Sequence, residues 1–281
     1  MNEPMKLKII SLNIWLGGLL FEEIVEFLKA QDPDILMLQE VFDGKDISLE
    51  KRFRAFSVLK NELGYKYSDF APAFIENIGE NQKINQGNAI FSRFAIKNSK
   101  TCFYDIPFGE RIDQYEYFPV TPRNLQHVTI NLADQTQNSV DQVQNLADQT
   151  QNEPLLHVLN TQGIWGTHGE DTERRTEMGK VILNEIGNNQ PLILAGDFNF
   201  NPDTKVVENI SKTLESVFKT ELVTSFNLAR KDLVKDPGYA TAAVDMMFVS
   251  NDIEIISKSC LNVDISDHLP LVVEVNLVPH Q

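Results

Sequence analysis

Along the chain, runs of branched apolar residues break abruptly on a polar side chain. KLKIISLN, from Lys6 to Asn13, carries Ile9 and Ile10 and ends on Asn13; ILMLQEV, from Ile35 to Val41, is apolar until Gln39 and Glu40. LILAGDFNFNPD, from Leu192 to Asp203, runs through Leu192, Ile193, Leu194 and Ala195 and breaks at Gly196, just before Asp197 and Asn199. Such runs predict buried strands, with chemistry at their exits. GNAIFSR, LQHVTINL, LLHVLNT, VDMMFV and LPLVVEV predict further strands. Between them the period changes to that of a helix: Ile24, Val25, Phe27 and Leu28 predict an amphipathic helix over 21–30, ended by Gln31-Asp32-Pro33. Phe53, Phe56, Leu59 and Leu63 predict helical core packing between Ser48 and Leu63. Met178, Val181, Ile182 and Ile186 form one face of a helix capped by Asp171 and Thr172 and stopped by Gly187, and Val206, Val207 and Ile210 suggest another.

One segment has neither period. NLADQTQN occurs at 131–138 and again at 145–152, and the stretch from Asn131 to Asn152 holds three aspartates, no basic residue and no aromatic. Such a composition cannot bury enough surface to offset the entropy of ordering, so it is expected to be a mobile polar repeat inserted between two strands, with no catalytic residue. No linker separates two domains, so a single domain over 1–281 is expected.

Bulk properties narrow the setting. Cys102 and Cys260 stand in no metal-binding spacing and read as reduced thiols. The apolar run near the N-terminus is cut by Asn13 without a cleavage site, and no window reaches the length of a membrane span; a cytoplasmic monomer is expected. With 25 basic and 40 acidic residues the net charge is −15, and Lys and Arg form no cluster. Tight duplex DNA binding needs a basic face, so no stable duplex complex is expected and a small or single-stranded substrate is favoured.

The polar residues at the strand exits are the candidate chemistry. Asp197 and Asn199 flank Phe198, and on extended backbone both would face one way while Phe198 faces the core; Gly, Asp, Asn and Pro also make ordinary turns. Glu40, at the end of so apolar a strand, needs a cation or a hydrogen-bond network, and a lone glutamate suits a hard divalent ion; the other reading is a frayed strand end. Asn13 can hold a phosphate oxygen or a metal-bound water, or close a turn onto Gly17 and Gly18. Arg123, approached through Pro119 and Pro122, is a candidate phosphate contact; Arg93 is a weaker one that reads as an ion-pair arginine. His127 and His157 read as partly buried structural histidines. Ser266-Asp267-His268-Leu269-Pro270 leads into the last strand, where an imidazole held by an acid could stabilise or protonate phosphate oxygens.

The ordered set LNIW, LQEV, GDFNFNPD and SDHLP, with GNAIFSR and VDMMFVS as accessory strands, resembles the endonuclease/exonuclease/phosphatase superfamily, the DNase I-like metal-dependent phosphoesterases, from about Leu7 to Val275. The resemblance implies an α/β fold, a four-layer α-β-β-α sandwich of two mostly antiparallel sheets with one active site at the sheet ends. It implies that Glu40 ligates Mg2+ or Mn2+, with Asn13 beside it, and that Asp267 sits at the metal or orients its neighbour. Asp197 is expected to activate the attacking water, Asn199 to hydrogen-bond the phosphate, His268 to stabilise the developing charge, and Asp245 to support a catalytic side chain. One position departs from the family's pattern: Asn160-Thr161-Gln162 stands where many members have Asn-x-His, so Gln162 occupies a catalytic position with a side chain that cannot titrate; His168 follows in the same loop.

Two functions follow. The first is a divalent-metal-dependent hydrolase of phosphodiester or phosphomonoester bonds, nuclease-like, acting on nucleic acid, nucleotide or another small phosphoester. The second, suggested by Gln162, is a catalytically weak member that binds a phosphorylated ligand or a protein partner. A secreted sphingomyelinase and a processive duplex nuclease are both disfavoured, for want of a signal peptide and a basic patch.

Overall fold

The computed structural model describes residues 5–79, 82–112, 120–135, 154–166, 168–233 and 242–277. The repeat expected at 131–152 lies mostly outside the described residues. One six-stranded sheet holds β1 (Met5–Asn13), β2 (Ile35–Phe42), β3 (Tyr67–Gly79), β4 (Gln82–Ser92), β11 (Ile253–Cys260) and β12 (Leu271–Leu277), in the order β11-β12-β1-β2-β4-β3. The other holds β5 (Ala95–Phe103), β6 (Asn124–Asn131), β7 (Leu155–Gln162), β8 (Leu192–Asp197), β9 (Glu215–Ser216) and β10 (Asp245–Val249), in the order β5-β6-β7-β8-β10-β9. Pairing is antiparallel except between β1 and β2 and between β7 and β8. No helix among the described residues is long and apolar enough to cross a membrane.

The continuous apolar runs are explained by burial on both faces. On β1, Leu7 and Ile9 point between the sheets, while Ile10 and Leu12 point outward. There they meet α1 (Phe21–Gln31) through Ile24, Val25 and Leu28, and α2 (Ala55–Glu62) through Leu59. On β8, Ile193 and Ala195 point between the sheets, while Leu192 and Leu194 point outward to Met178, Ile182 and Ile186 of α3 (Glu173–Ile186) and to Val206 and Ile210 of α4 (Lys205–Ile210). The result is the DNase I-like sandwich of four layers. The helix expected over Ser48–Leu63 is shorter: a single 3-10 turn over Lys51–Arg54 precedes α2.

The inward-facing positions change character along the strands. Leu7 and Ile9 of β1 give way to Ser11 and Asn13; Ile35 and Met37 of β2 to Gln39; Leu156 and Val158 of β7 to Asn160 and Gln162; Ile193 and Ala195 of β8 to Asp197. The sandwich interior is therefore hydrocarbon at one end and polar at the other. Midway, amides bond across the gap between the sheets: Gln39 Nε2 donates to Asn160 Oδ1 at 2.7 Å, Asn160 Nδ2 to the Leu38 carbonyl at 3.0 Å, and Asn88 Nδ2 to Asn124 Oδ1 at 2.9 Å. Groups buried this deeply are costly unless paired.

Asn160→Ala removes several bonds of that layer at once and leaves Gln39 Nε2 only the longer bonds to Ser11 Oγ and the Met37 carbonyl, so it is expected to destabilise the fold by roughly 2–3 kcal/mol. Urea denaturation measures this, and an unchanged midpoint would show that the layer does not hold the sheets in place.

Candidate active site

Within β2 the register with β4 shifts between Leu38 and Val41, and Glu40 takes a left-handed backbone (φ 60°) before pairing resumes at Val41. The turn brings its carboxylate among three N–H donors: Asn13 Nδ2 at 3.1 Å and Gln162 Nε2 at 2.9 Å on Oε1, and the Leu16 amide at 2.8 Å on Oε2. The frayed strand end is thus excluded, because the side chain is held by both sheets. Asn13 Nδ2 also donates to Asp197 Oδ2 at 3.1 Å, so one amide nitrogen joins Glu40 to Asp197. Its Oδ1 accepts the Trp15 amide at 3.0 Å, while the Gly17 and Gly18 amides go to the Glu40 and Trp15 carbonyls and not to Asn13.

Asp197 closes β8, and Asn199 follows on a left-handed backbone (φ 59°), not the extended one expected. The shared pocket wall forms all the same, since Phe198 packs into the core and Asn199 folds back on Asp197. Its backbone amide donates to Asp197 Oδ1 at 3.0 Å, and its Nδ2 to Asp197 Oδ2 at 3.2 Å and to the Gly163 carbonyl at 3.1 Å.

β10 places Asp245 directly opposite Asp197. Two facing carboxylates repel, and His268 relieves them: its Nδ1 donates to Asp245 Oδ2 at 2.7 Å, and its ring packs 4.6 Å from that of Phe226. Ser266 Oγ donates to the Asn13 carbonyl at 2.7 Å, fixing the Asp267-His268 turn against β1. Gln162 bridges in the other direction, accepting from Arg123 Nη1 at 3.0 Å while donating to Glu40. The structure therefore brings Asn13, Glu40, Arg123, Gln162, Asp197, Asn199, Asp245, Asp267 and His268 to one end of the sandwich. Arg93 is elsewhere, paired with Asp32 and Asp34, and His168 is exposed in the loop after Gln162.

The sequence pattern of the endonuclease/exonuclease/phosphatase family matches residues 10–268, from β1 to His268. The chain belongs to that family. Solved structures agree on the fold. The endonuclease/exonuclease/phosphatase from Beutenbergia cavernae is 16% identical with a TM-score of 0.69, over 97% of this chain and 72% of its own. The Bacteroides thetaiotaomicron mannosyl-6-phosphatase is 18% identical with a TM-score of 0.61, over 96% and 99%. The human nocturnin catalytic domain with bound sulfate is 19% identical with a TM-score of 0.58, over 98% and 95%. No curated protein shows a significant sequence match.

Family membership makes the charge balance of the site informative. Burial, opposed by His268 and reinforced by Asp245 and Glu40, pushes the Asp197 carboxyl up to about 7. Burial likewise raises Asp267 to about 6, again opposed by His268 and reinforced by Glu40. Burial disfavours an imidazolium at His268, yet Asp245, Asp267 and Asp197 together hold it well above its ordinary range. The centre thus carries more buried negative charge than His268 and Arg123 offset, and its donors are hard carboxylate oxygens: a divalent cation such as Mg2+ or Mn2+ fits these residues. Among the described residues, ligand atoms of Asp197, Asp245 and His268 lie within 4.8 Å of one another. His268 Nδ1 is already committed to Asp245. Asn13 turns its nitrogen to the carboxylates and acts there as a donor.

Sequence reasoning passed over Ser266, although it adjoins the Asp-His pair, and the Leu16 amide, which no side-chain pattern reveals. It also passed over Arg175, whose signal was present: it lies one turn before Met178 on the buried face of α3.

A carboxyl raised from 3.8 to about 7 means that the folded chain binds a proton the unfolded chain lacks, so its contribution to stability grows as pH falls through that window and is least above it. In the metal-free protein, Asp197→Asn is expected to flatten the gain between pH 8 and pH 6 by about 1 kcal/mol. Thermal unfolding in chelator measures this, and parallel profiles for the two proteins would refute it.

Proposed function

We propose that this chain is a divalent-cation-dependent phosphoesterase that hydrolyses phosphodiester or phosphomonoester bonds, nuclease-like, by in-line attack of an activated water. The observation that supports this above all is the junction of Glu40, Asp197 and the Asp245-held His268 at one polar end, where Asn13 ties the carboxylates of the two sheets together. The family is one of hydrolases on a phosphoesterase fold, and among similar structures a mannosyl-6-phosphatase and a sulfate-bound nocturnin fit a site for tetrahedral anions.

The chain's own residues divide the work as follows. Asp197, its carboxyl raised by burial, takes the proton of the attacking water, and the two bonds from Asn199 hold the carboxylate in place. Asn13 and Asn199 use both hydrogens of their amides within the site, on Glu40 and Asp197 and on Asp197 and Gly163, and so hold the carboxylates that meet the substrate. His268, protonated and oriented by Asp245, donates to the charge that builds on the phosphoryl oxygens. Arg123, hydrogen-bonded to Gln162, adds positive charge near Glu40 and Asp197 that favours an anionic substrate. Mg2+ or Mn2+ held by Glu40 and Asp267 would polarise the phosphoryl oxygens and lower the repulsion met by the incoming water. Gln162 cannot titrate; it links Arg123 to Glu40 and fixes both. The net charge of −15 favours a small or single-stranded phosphoester over duplex DNA.

Hydrolysis is measured with Mg2+, with Mn2+ and with chelator, on single-stranded DNA, RNA, nucleotides and inositol phosphates. At least one class is expected to be turned over only with metal, and Asp197→Asn and His268→Ala to lower that rate by roughly 100-fold or more. Equal rates in all three proteins would refute the reading. Calorimetric Mg2+ binding without turnover of any ester would replace it with a ligand-binding role.

A further inference from the structure

We propose that Arg175 is a positioning residue of this centre: it anchors the backbone of Asn199, and through Asn199 the Asp197 carboxylate, to the loop that follows Gln162. The kinetic part of this inference rests on the phosphoesterase reading; the structural part does not.

Arg175 stands in the first turn of α3, 1% exposed, and ranks first in size among the fully buried side chains of the described residues. A guanidinium so placed must be solvated by the protein itself. Backbone carbonyls do this. Nη2 donates to the Asn199 carbonyl at 2.7 Å, Nε to that of Ile164 at 3.2 Å, and Nη1 to that of Glu170 at 2.6 Å and to that of His168. Three acceptors belong to the loop between β7 and α3, and one to the residue that folds back on Asp197. The Phe200 ring lies 5.8 Å from the guanidinium carbon, and the backbone at Gly166 comes so near that a Cβ there would meet Nη2 at 3.1 Å.

Asn199 needs such a hold. A left-handed backbone is costly for a residue other than glycine unless its surroundings fix it. Asp197 fixes its amide, Asp197 and Gly163 its side chain, and Arg175 its carbonyl. Without the guanidinium the Asn199 carbonyl is free to rotate, and both bonds to Asp197 loosen with it. A lysine would keep the charge but could not span the same carbonyls, because its donors share one atom. The two loops remain joined elsewhere, from the Asn201 amide to the Gly169 carbonyl at 2.7 Å and from the Gly163 amide to the Asp197 carbonyl at 2.7 Å, so the change is local.

Arg175→Ala and Arg175→Lys test the proposal together, the lysine variant carrying the test if the alanine variant does not fold. Both are expected to exchange the Asn199 amide hydrogen faster than the wild type, and to lose roughly 10- to 100-fold in kcat with KM nearly unchanged. Low millimolar guanidinium is expected to restore part of the kcat of Arg175→Ala and none of that of Arg175→Lys. Wild-type exchange at Asn199 in both variants overturns the proposal, as does a kcat that falls only with the folded fraction. If the wild type hydrolyses no ester, the phosphoesterase reading fails, and exchange at Asn199 alone decides the role of Arg175.

Discussion

The bond from Asn13 to Asp197 joins strands of different sheets, and it exists only because those sheets are held face to face at a fixed separation. That separation is set by the hydrocarbon end of the sandwich, where Leu7, Ile9, Ile35, Val158 and Ile193 interlock. The amide layer of Gln39, Asn88, Asn124 and Asn160 then carries the spacing into the polar end. Close packing makes a core of this kind respond to single methylenes, so a change far down the sandwich is felt where the carboxylates meet. The site has no scaffold of its own.

The polar end departs from what stability alone favours. Asp197 faces Asp245 across β8 and β10, His268 is charged and buried, and two non-glycine residues of the centre, Glu40 and Asn199, have left-handed backbones. Each departure is offset locally: Glu40 by three donors from three different segments, Asn199 by Asp197, Gly163 and Arg175. Strained backbone held in place by its surroundings is characteristic of functional centres, since it puts a side chain where a regular strand could not. Continued in register, β2 would send Glu40 to the opposite face from Gln39, away from the gap between the sheets.

What the sequence disclosed follows from this layout. Strands buried on both faces are written as unbroken apolar runs, so β1, β2, β7, β8, β10 and β12 were legible, as were the polar residues at their ends. The helices were legible by period. β5 and β11 were not, because they lie at sheet edges and are largely exposed over stretches such as Lys97–Thr101 and Glu254–Ser257, which read as polar connections. β3, also at an edge, alternates too irregularly to announce itself. The residues that the structure gathers at the polar end could be read, but the left-handed turns at Glu40 and Asn199 could not, since neither residue is glycine. Arg175 escaped notice for the opposite reason: a charged side chain on an otherwise apolar helix face is easily taken for a surface residue that happens to fall in phase.

The arrangement of β1 beside β12 has a bearing on synthesis. Asn13 precedes every other residue of the centre along the chain and His268 follows them all, and β1 lies between β2 and β12, a strand made only after His268. A growing polypeptide can pair β1 with β2 at once, yet the centre lacks its histidine until all its other residues have been translated. A chain that stops before residue 268 cannot assemble the complete set of groups, so the centre closes only when β12 docks beside β1.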